Sequence, residues 1–476
     1  MTTRVTAGLS IVQAVAERID PTEPVAVGEI SRMVGMTLSA ASRLCSELES
    51  AGLLERGSAY GTYRLGRAAI SLSGIAAAPF ARAVRYALTF AAQQTGQTVC
   101  LAARSGDALR VVASVNSAWT LYSPAAVGEL VDDPRSAMVR AARLHNDDTD
   151  VAEPPYFESV IGMSCEVAAP VMSASGECIA VLAIRLPVNR SDEALPRVRH
   201  ALAVAKRSLE NTVETWLDEP SRSGIGVPAA PVSEAPSTAP SAIAAAVLIL
   251  RHLAAAPDSI AGTARATGLR QDRTQRLIDS CRRAGFVVTS PDRGSFHLGW
   301  ILHGWYRASS APLMVERGKP LVAHTAETMR ACGFITVLRG MRSYTLVEEL
   351  EMAGEGLEMT PWLGRAHPII GSDGGPTLVM DLSAEEIALL FPARHSPQEL
   401  DRFLRRVRKV MRDGVLTMEA FEDSGIVSVS APVRDSSGTV VAAACLVGTT
   451  AYVRDNQDLF EDAARDLAAK VSALLV

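Results

Sequence analysis

Several features typical of membrane proteins and metalloproteins are missing from this chain of 476 residues. There is no run of about 18 apolar residues, so no membrane-spanning helix is predicted. The seven cysteines are scattered and form no CxxC pair, which argues against structural zinc and against a disulfide framework. The first residues lack the layout of a signal peptide. We therefore expect a cytoplasmic protein that needs no cofactor and contacts no membrane.

Lysine is also scarce, and almost every basic residue is an arginine. The net charge is −5, which excludes a uniformly basic surface, so any DNA contact must come from local patches. Hydrophobic residues make up 48% of the chain and charged residues 21%, as in globular proteins with buried cores. The length predicts three or four domains.

The chain contains the same order of elements twice. Residues 7–74 and 242–309 each predict two helices, a glycine turn, a third helix and a short hairpin, with the turns at Gly35 and Gly268. This order is typical of a winged helix-turn-helix, which places its third helix in the DNA major groove. Two such DNA readers in one polypeptide suggest that a single chain carries what a dimer usually supplies.

A proline-rich segment separates two halves of similar organisation. Five prolines among Ser, Gly and Ala at 219–240 predict an extended linker without a core. The predicted fold class is α+β, with two tandem units that each join a winged helix-turn-helix to an α/β effector domain. The five predicted segments are a reader at 1–75, an effector domain at 76–218, the linker at 219–240, a second reader at 241–308 and a second effector domain at 309–476.

A helix is predicted after each reader, at 80–95 and at 315–332, ending at Gly96 and Gly333. Two hairpins and a final amphipathic helix follow in both halves. Between its hairpins the second half has about 80 residues and the first about 50, and the difference includes helical segments at 383–391 and 397–412. We therefore expect the first effector domain to be shortened.

Several short strings of this sequence resemble the IclR family of bacterial transcription regulators. They are Ser39-Ala40-Ala41-Ser42-Arg43-Leu44, Tyr63-Arg64-Leu65-Gly66, Ala169-Pro170-Val171 and the segment from Ala431 to Gly438. The resemblance covers nearly the whole chain, twice over. It implies a DNA-binding domain joined by a helix to a GAF-like effector domain that binds a small organic acid or aromatic compound. It also implies dimers, or pairs of dimers, on palindromic operators. The tandem arrangement departs from the family's usual single unit, so the number of chains in the complex would differ.

The first recognition helix has a polar outer face. Its apolar residues are expected to face the core, which leaves Thr37, Ser39, Ser42 and Arg43 pointing outward. The resemblance supports Ser39, Ala40, Ser42 and Arg43 as DNA-facing. Thr37 also suits a helix cap, and a merely solvated face is the alternative for Ser42 and Arg43.

The second recognition helix is chemically different. Its outward set is Arg270, Gln271, Arg273, Gln275 and Arg276. Arginine pairs well with guanine and glutamine with adenine, so these residues predict direct base contacts. The alternative is a diverged copy with a charged, solvated face. The unequal helices suggest that the two readers prefer different half-sites.

The second reader is also locally basic. Residues 241–306 hold eight Arg against four Asp, whereas residues 1–75 hold seven Arg against seven acidic residues. The second reader should therefore bind phosphates more strongly. At the wing tips, Arg293 is the residue suited to a phosphate contact.

A ligand pocket is expected in the second effector domain. The resemblance places Met359, Trp362, His367, Ser372 and Asp373 in a loop that forms a pocket wall.

Strand alternation puts Ser428 and Ser430 on one face, and the resemblance matches them and Cys445 to ligand-binding positions. Hydroxyls and a thiol suit a carboxylate or a phenol. A closed core with satisfied hydroxyls is the alternative, and a buried structural role is the alternative for His367.

The corresponding positions of the first effector domain are charged. Glu166 and Arg185 lie on facing strands, where they predict either an ion pair that plugs a degenerate pocket or an arginine that binds an acidic effector. The missing helices favour the plug. We therefore expect this domain to bind no ligand.

These features predict a DNA-binding transcription regulator controlled by a small, aromatic or carboxylated metabolite, most simply a repressor of catabolic genes. Its expected partners are double-stranded operator DNA with an inverted repeat, the small effector and, as an alternative to a pseudo-dimeric monomer, a second copy of the chain. The alternatives are an activator with the same ligand logic and a degenerate scaffold that acts through protein contacts. No GxSxG, HExxH or P-loop motif occurs, so an enzyme is not expected.

Overall fold

Two six-stranded antiparallel sheets and two helix-turn-helix units build the protein. The computed structural model describes residues 3–143, 156–173, 176–218, 240–290, 294–351, 358–371, 374–419 and 425–476. The predicted linker lies almost entirely outside these ranges.

The first helix-turn-helix unit confirms the predicted order of elements. It consists of α1 (Arg4–Ala16), β1 (Val25–Ala26), α2 (Val27–Met33), α3 (Leu38–Ser50), β2 (Leu54–Arg56) and β3 (Thr62–Leu65), with the strands paired in the order β1-β3-β2. Gly35 makes the turn before α3 with a φ of 65°, a conformation that suits glycine. Ile11, Ile30 and Leu48 are fully buried between the three helices.

The helix that follows is longer than predicted. Helix α4 spans Arg67–Thr95 and ends at Gly96, so the expected start at Phe80 is wrong. Pro79 lies inside this helix, where it removes one backbone hydrogen-bond donor without ending the helix. The predicted domain boundary at residues 75 and 76 consequently falls inside a continuous helix.

The first effector domain is built on one sheet. Its elements are β4 (Thr98–Ser105), β5 (Ala108–Val115), β6 (Leu130–Val131), α5 (Ala137–Ala142), β7 (Phe157–Ile161), β8 (Ser164–Met172), β9 (Cys178–Pro187) and α6 (Ser191–Asp218). The strand order is β6-β5-β4-β9-β8-β7. Helices α4 and α6 cover one face, and α5 packs on the other.

The second half begins with another helix-turn-helix unit. It contains α7 (Ala242–Ala255), α8 (Ile260–Thr267), α9 (Gln271–Arg283), β10 (Val287–Ser290) and β11 (Ser295–Leu298). The predicted turn at Gly268 is present, with a φ of 68°.

The second connecting segment differs from its prediction. Helix α10 spans Trp305–Leu313, a π-helical turn spans Met314–Gly318, and α11 spans Lys319–Met329. The helix ends at Arg330, which has a φ of 48°, and not at Gly333. Gly333 instead lies in a strand that packs closely on α11, since a Cβ there would come within 2.9 Å of Val322. The predicted boundary at residues 308 and 309 again falls inside a helix.

The second effector domain has a sheet with the same connectivity as the first. Its elements are β12 (Cys332–Arg339), β13 (Arg342–Glu349), β14 (Ala366–Pro368), α12 (Gly375–Leu378), α13 (Ala384–Leu390), α14 (Pro397–Asp413), β15 (Leu416–Glu419), β16 (Ile426–Arg434), β17 (Val440–Thr449), α15 (Thr450–Asp455) and α16 (Gln457–Ser472). The strand order is β14-β13-β12-β17-β16-β15. Among the described residues, the first domain therefore lacks helices of the second but keeps all six strands.

The two halves pack directly against each other. Helix α1 contacts both α7 and α9, and the Thr6 hydroxyl donates to the carbonyl of Ser280 at 3.1 Å. Helix α4 packs on α7 and α10, where the buried Ser73 hydroxyl donates to Leu302 and accepts from the backbone N–H of Tyr306. One apolar core therefore runs through both halves. No helix in the described parts of the chain is long and apolar enough to cross a membrane.

Candidate nucleic-acid interface and ligand sites

Helix α3 presents its polar face to solvent. Thr37, Ser39, Ser42 and Arg43 are exposed and Ala40 is half-buried, as the sequence predicts. The apolar positions of the same helix, including Leu44 and Leu48, are buried. Thr37 also caps the helix, because its hydroxyl accepts a hydrogen bond from the N–H of Ala40 at 3.4 Å. The outer face of α3 is therefore free to contact a ligand as large as DNA.

Helix α9 exposes four of its five predicted contact residues, which are Arg270, Gln271, Gln275 and Arg276. Asp272 lies among them, 3.6 Å from Arg270 and 3.2 Å from Arg276. These exposed ion pairs are weak, so the arginines can exchange Asp272 for phosphates or bases.

Arg273 is held differently. It is half-buried, and its guanidinium donates to the carbonyl of Pro240 at 2.6 Å. The side chain thus fixes the start of the second half against α9. Arg293, the proposed phosphate contact in the wing, lies outside the described residues.

The second effector domain gathers most of the predicted pocket residues on one face of its sheet. Ser428 and Ser430 on β16 pair with Val447 and Cys445 on β17. The Ser430 hydroxyl lies 2.9 Å from that of Thr377. The Ser428 hydroxyl is fully buried and has no hydrogen-bond partner among the residues that the structure describes. A buried hydroxyl without a partner costs about 1–3 kcal/mol, so this position is suited to a polar ligand atom.

A cluster of aromatic side chains lies beside these strands. Trp362 stacks on Phe334 with ring centroids 5.5 Å apart and contacts His367 at 4.8 Å. Met359 packs against the same cluster. Ser372 and Asp373 lie outside the described residues.

The first effector domain has a cavity at the corresponding face. Its volume is about 670 Å³, and it is lined by both Glu166 and Arg185. The expected pair exists, with Arg185 Nε 3.1 Å from Glu166. The prediction that this pair plugs the pocket is wrong, because the two side chains lie along the wall of the cavity and leave its volume open.

The carboxylate of Glu166 is tied to the floor of this cavity. It accepts hydrogen bonds from the Ser136 hydroxyl at 2.6 Å and the Met138 N–H at 3.0 Å. On the other side, Arg185 donates to Glu129 at 2.6 Å and to the carbonyl of Pro124 at 3.0 Å. Burial disfavours the charge on Arg185, but Cys100 and the two carboxylates outweigh it and raise the pKa of the guanidinium. Arg185 is therefore a fixed cation between two anions.

Comparison with known proteins identifies the first reader. Residues 5–58 match the IclR helix-turn-helix domain. A helix-turn-helix domain binds DNA, so the exposed face of α3 is the natural contact surface. No curated protein matches the chain.

Among the solved structures that match are two bacterial proteins. An IclR-family transcriptional regulator from Rhodococcus sp. is 21% identical, with 51% of this chain and 98% of that chain covered and a TM-score of 0.38. HmgR from Pseudomonas aeruginosa is 20% identical, with 48% and 96% covered and a TM-score of 0.34.

A third matching structure holds a ligand. An IclR homolog from Microbacterium hydrocarbonoxydans, complexed with 4-hydroxybenzoate, is 18% identical. The alignment covers 49% of this chain and 99% of that chain, with a TM-score of 0.31.

Several residues at these sites escaped the sequence analysis. In the second domain, the buried Thr345 hydroxyl has no partner within the described part of the chain. Gly374 lies so close to β17 that a Cβ there would come within 3.0 Å of Cys445. Strand alternation indicates Thr345, whereas no local pattern indicates Glu129 or Gly374.

Proposed function

We propose that the chain is a transcription regulator that binds operator DNA with two unequal readers and responds to a small ligand. The observation that carries this proposal is the match of residues 5–58 to the IclR helix-turn-helix domain, combined with the exposed polar face of α3. We place the protein in the cytoplasm, where its DNA is.

The second reader, residues 241–308, is part of the same proposal. The equal strand orders of the two sheets support the interpretation that the halves are tandem copies with GAF-like effector domains. The four exposed side chains on α9 support base contacts by the second copy, in the manner of the second subunit of a dimer. A pseudo-dimeric monomer on an imperfect inverted repeat follows, with further dimerisation as the alternative.

We assign the effector of the second domain to the space between Trp362 and Ser428. An aromatic ring would stack with Trp362, and a phenol or carboxylate oxygen would satisfy the Ser428 hydroxyl. Occupancy would favour one orientation of reader and effector domain and so change the affinity for DNA. The simplest result of ligand binding is release of a repressor from catabolic genes, and an activator would respond to the ligand through the same change in DNA affinity.

A gel shift at fixed salt tests both parts, using the DNA upstream of the protein's own coding sequence and 4-hydroxybenzoate as the first probe. We expect a discrete complex that is weakened or strengthened by the probe. Trp362→Ala should abolish the response to the probe and leave the complex itself intact. Absence of specific binding would contradict the proposal.

A scaffold that acts through protein contacts is the second candidate. The two ion pairs of Asp272 favour it, because they neutralise part of the basic face of α9. Asp272→Asn distinguishes the two functions. It should tighten DNA binding if α9 is a reader, and should have no effect on DNA if α9 is only a protein-contact surface.

A further inference from the structure

The first effector domain contains a cavity whose charge differs from that expected for an acid-binding site. Its apolar walls include Leu121, Tyr122, Val131 and Ile161. A volume of about 670 Å³ lies within the range of ligand pockets. The cavity is therefore large enough for a small molecule with an apolar body.

Negatively charged side chains outnumber positively charged ones in the wall of the cavity. Four are carboxylates and one is a guanidinium, namely Glu129, Asp132, Asp133, Glu166 and Arg185. Asp133 is paired outside the cavity with Arg135 at 2.7 Å, and this hydrogen bond lowers the pKa of Asp133 to about 2. Asp132 is exposed and has no basic partner among the residues that the structure describes.

Arg185 is not available to an incoming acid. Its guanidinium donates to Glu129 at 2.6 Å, to Glu166 at 3.1 Å and to the Pro124 carbonyl at 3.0 Å. A ligand carboxylate would have to displace one of two carboxylates that are themselves held by backbone N–H groups, of Ala126 at 3.0 Å and Met138 at 3.0 Å. It would also approach a wall that is already negative.

We infer that this cavity is a ligand site for an apolar molecule that carries an amine, and that it discriminates against carboxylates. An ammonium group would lie near Glu129 and Asp132, while its apolar body would contact Leu121, Tyr122 and Ile161. The second domain has Ser428 and Val447 at the positions of Glu166 and Arg185, so its ligand differs in charge. This inference rests on the proposed function for the role of the domain, but not for the binding itself.

Calorimetry on the full chain without DNA tests the inference with three probes that share one body: 2-phenylethylamine, phenylacetate and 2-phenylethanol. We expect the amine to bind the wild-type chain on the order of tenfold more tightly than the acid. The preference should weaken as salt is raised, because the charges are partly exposed. Equal or tighter binding of phenylacetate, or no binding of any probe at millimolar concentration, would overturn the inference.

Variants locate the binding site and exclude a general loss of folding. Glu129→Gln should weaken binding of the amine and strengthen binding of the acid, since it frees the Arg185 N–H group that donates to Glu129. Asp132 is exposed, so Asp132→Asn should leave folding intact. It should weaken binding of the amine by a few-fold. Glu348→Gln is the control, because Glu348 accepts the N–H of Trp362 at 2.7 Å in the second domain. If Glu348→Gln reduces amine binding and Glu129→Gln does not, the assignment to the first cavity is wrong.

Failure of this inference and failure of the proposed function are distinguishable. Amine selectivity is measured without DNA, whereas the proposed function requires a specific complex in a gel shift. A chain that binds its operator but shows no amine preference would contradict the inference alone.

Discussion

Arg85 of the first half donates from Nη1 to the carbonyl of Val440 in the second half at 2.7 Å. Its other terminal nitrogen donates to the carbonyl of Leu378, the last residue of α12. The guanidinium is buried at the contact between α4 and the second effector domain, and burial lowers its pKa. A side chain on the helix that leaves the first reader thus contacts the opposite half directly.

This contact reaches the proposed ligand site of the second domain in one further step. Helix α12 also carries Thr377, whose hydroxyl lies 2.9 Å from that of Ser430. A ligand beside Ser428 and Ser430 that moves α12 would therefore act on α4 through Arg85. The contacts of Ser430 with Thr377 and of Leu378 with Arg85 connect the proposed ligand site to the helix that follows the first reader.

We predict that Arg85→Met uncouples the ligand from the first reader. The variant keeps an unbranched apolar stem but removes the guanidinium that donates to the carbonyls of Val440 and Leu378, at a cost of about 2–4 kcal/mol of folding stability. Arg82→Met is the matched control, since Arg82 is exposed on the same helix and pairs with Glu386 at 2.7 Å. Gel shifts with and without 4-hydroxybenzoate should show a lost response for Arg85→Met only. A normal response in a folded Arg85→Met chain would rule out this path.

Helix α9, the proposed second recognition helix, gives a prediction that separates neighbouring arginines. Arg276→Ala should relax base preference and cost about 1–3 kcal/mol of binding if the side chain contacts a base. Arg273→Ala should instead lower thermal stability, because Arg273 is bound to the carbonyl of Pro240 at 2.6 Å. Binding to a panel of operator variants, together with melting temperatures, would measure both effects. The assignment fails if Arg273→Ala alters base preference and Arg276→Ala does not.

The buried His303 and the half-buried His297 predict loss of stability in acid. Burial lowers the pKa of His303 to about 3 and that of His297 to about 4, both below the ordinary value. The unfolded chain therefore takes up protons near pH 6.5 while the folded chain does not, so stability is full above pH 6.5 and falls as the pH drops toward these lower values. Each histidine should contribute a slope of up to about 1.4 kcal/mol per pH unit in this window.

His303→Phe should remove part of this slope. The His303 ring stacks on Phe80 with centroids 5.6 Å apart, in an apolar site that accepts an aromatic replacement. Urea unfolding at several values between pH 4.5 and pH 7 would measure the slope, with the exposed His200→Asn as control. An unchanged slope in His303→Phe would show that this histidine does not set the acid sensitivity.

The sequence predicts the parts of the fold that have local patterns. The long central hairpins were predictable because apolar runs flank glycine-containing turns, and α13 and α14 because of their helical period. The edge strands β6, β7, β14 and β15 were missed, since two to five residues do not establish an alternation.

The sites were predictable to a similar degree. Opposite positions on adjacent strands indicated the pair of Glu166 and Arg185, but the pair's third partner, Glu129, lies in a loop without periodicity. Contacts between the halves, such as Arg85 with Val440, depend on packing between residues 355 positions apart. No local pattern reports such a contact, and the open cavity beside Arg185 was unpredictable for the same reason.

The central claim is that both readers of one chain contact one operator. Hydroxyl-radical footprinting of the chain on its own upstream DNA, with Arg43→Ala and Arg276→Ala as single-reader variants, tests it most directly. We predict protection of two dissimilar half-sites, with Arg43→Ala weakening one and Arg276→Ala weakening the other. Protection of a single half-site, or weakening of the same half-site by both variants, would contradict the claim.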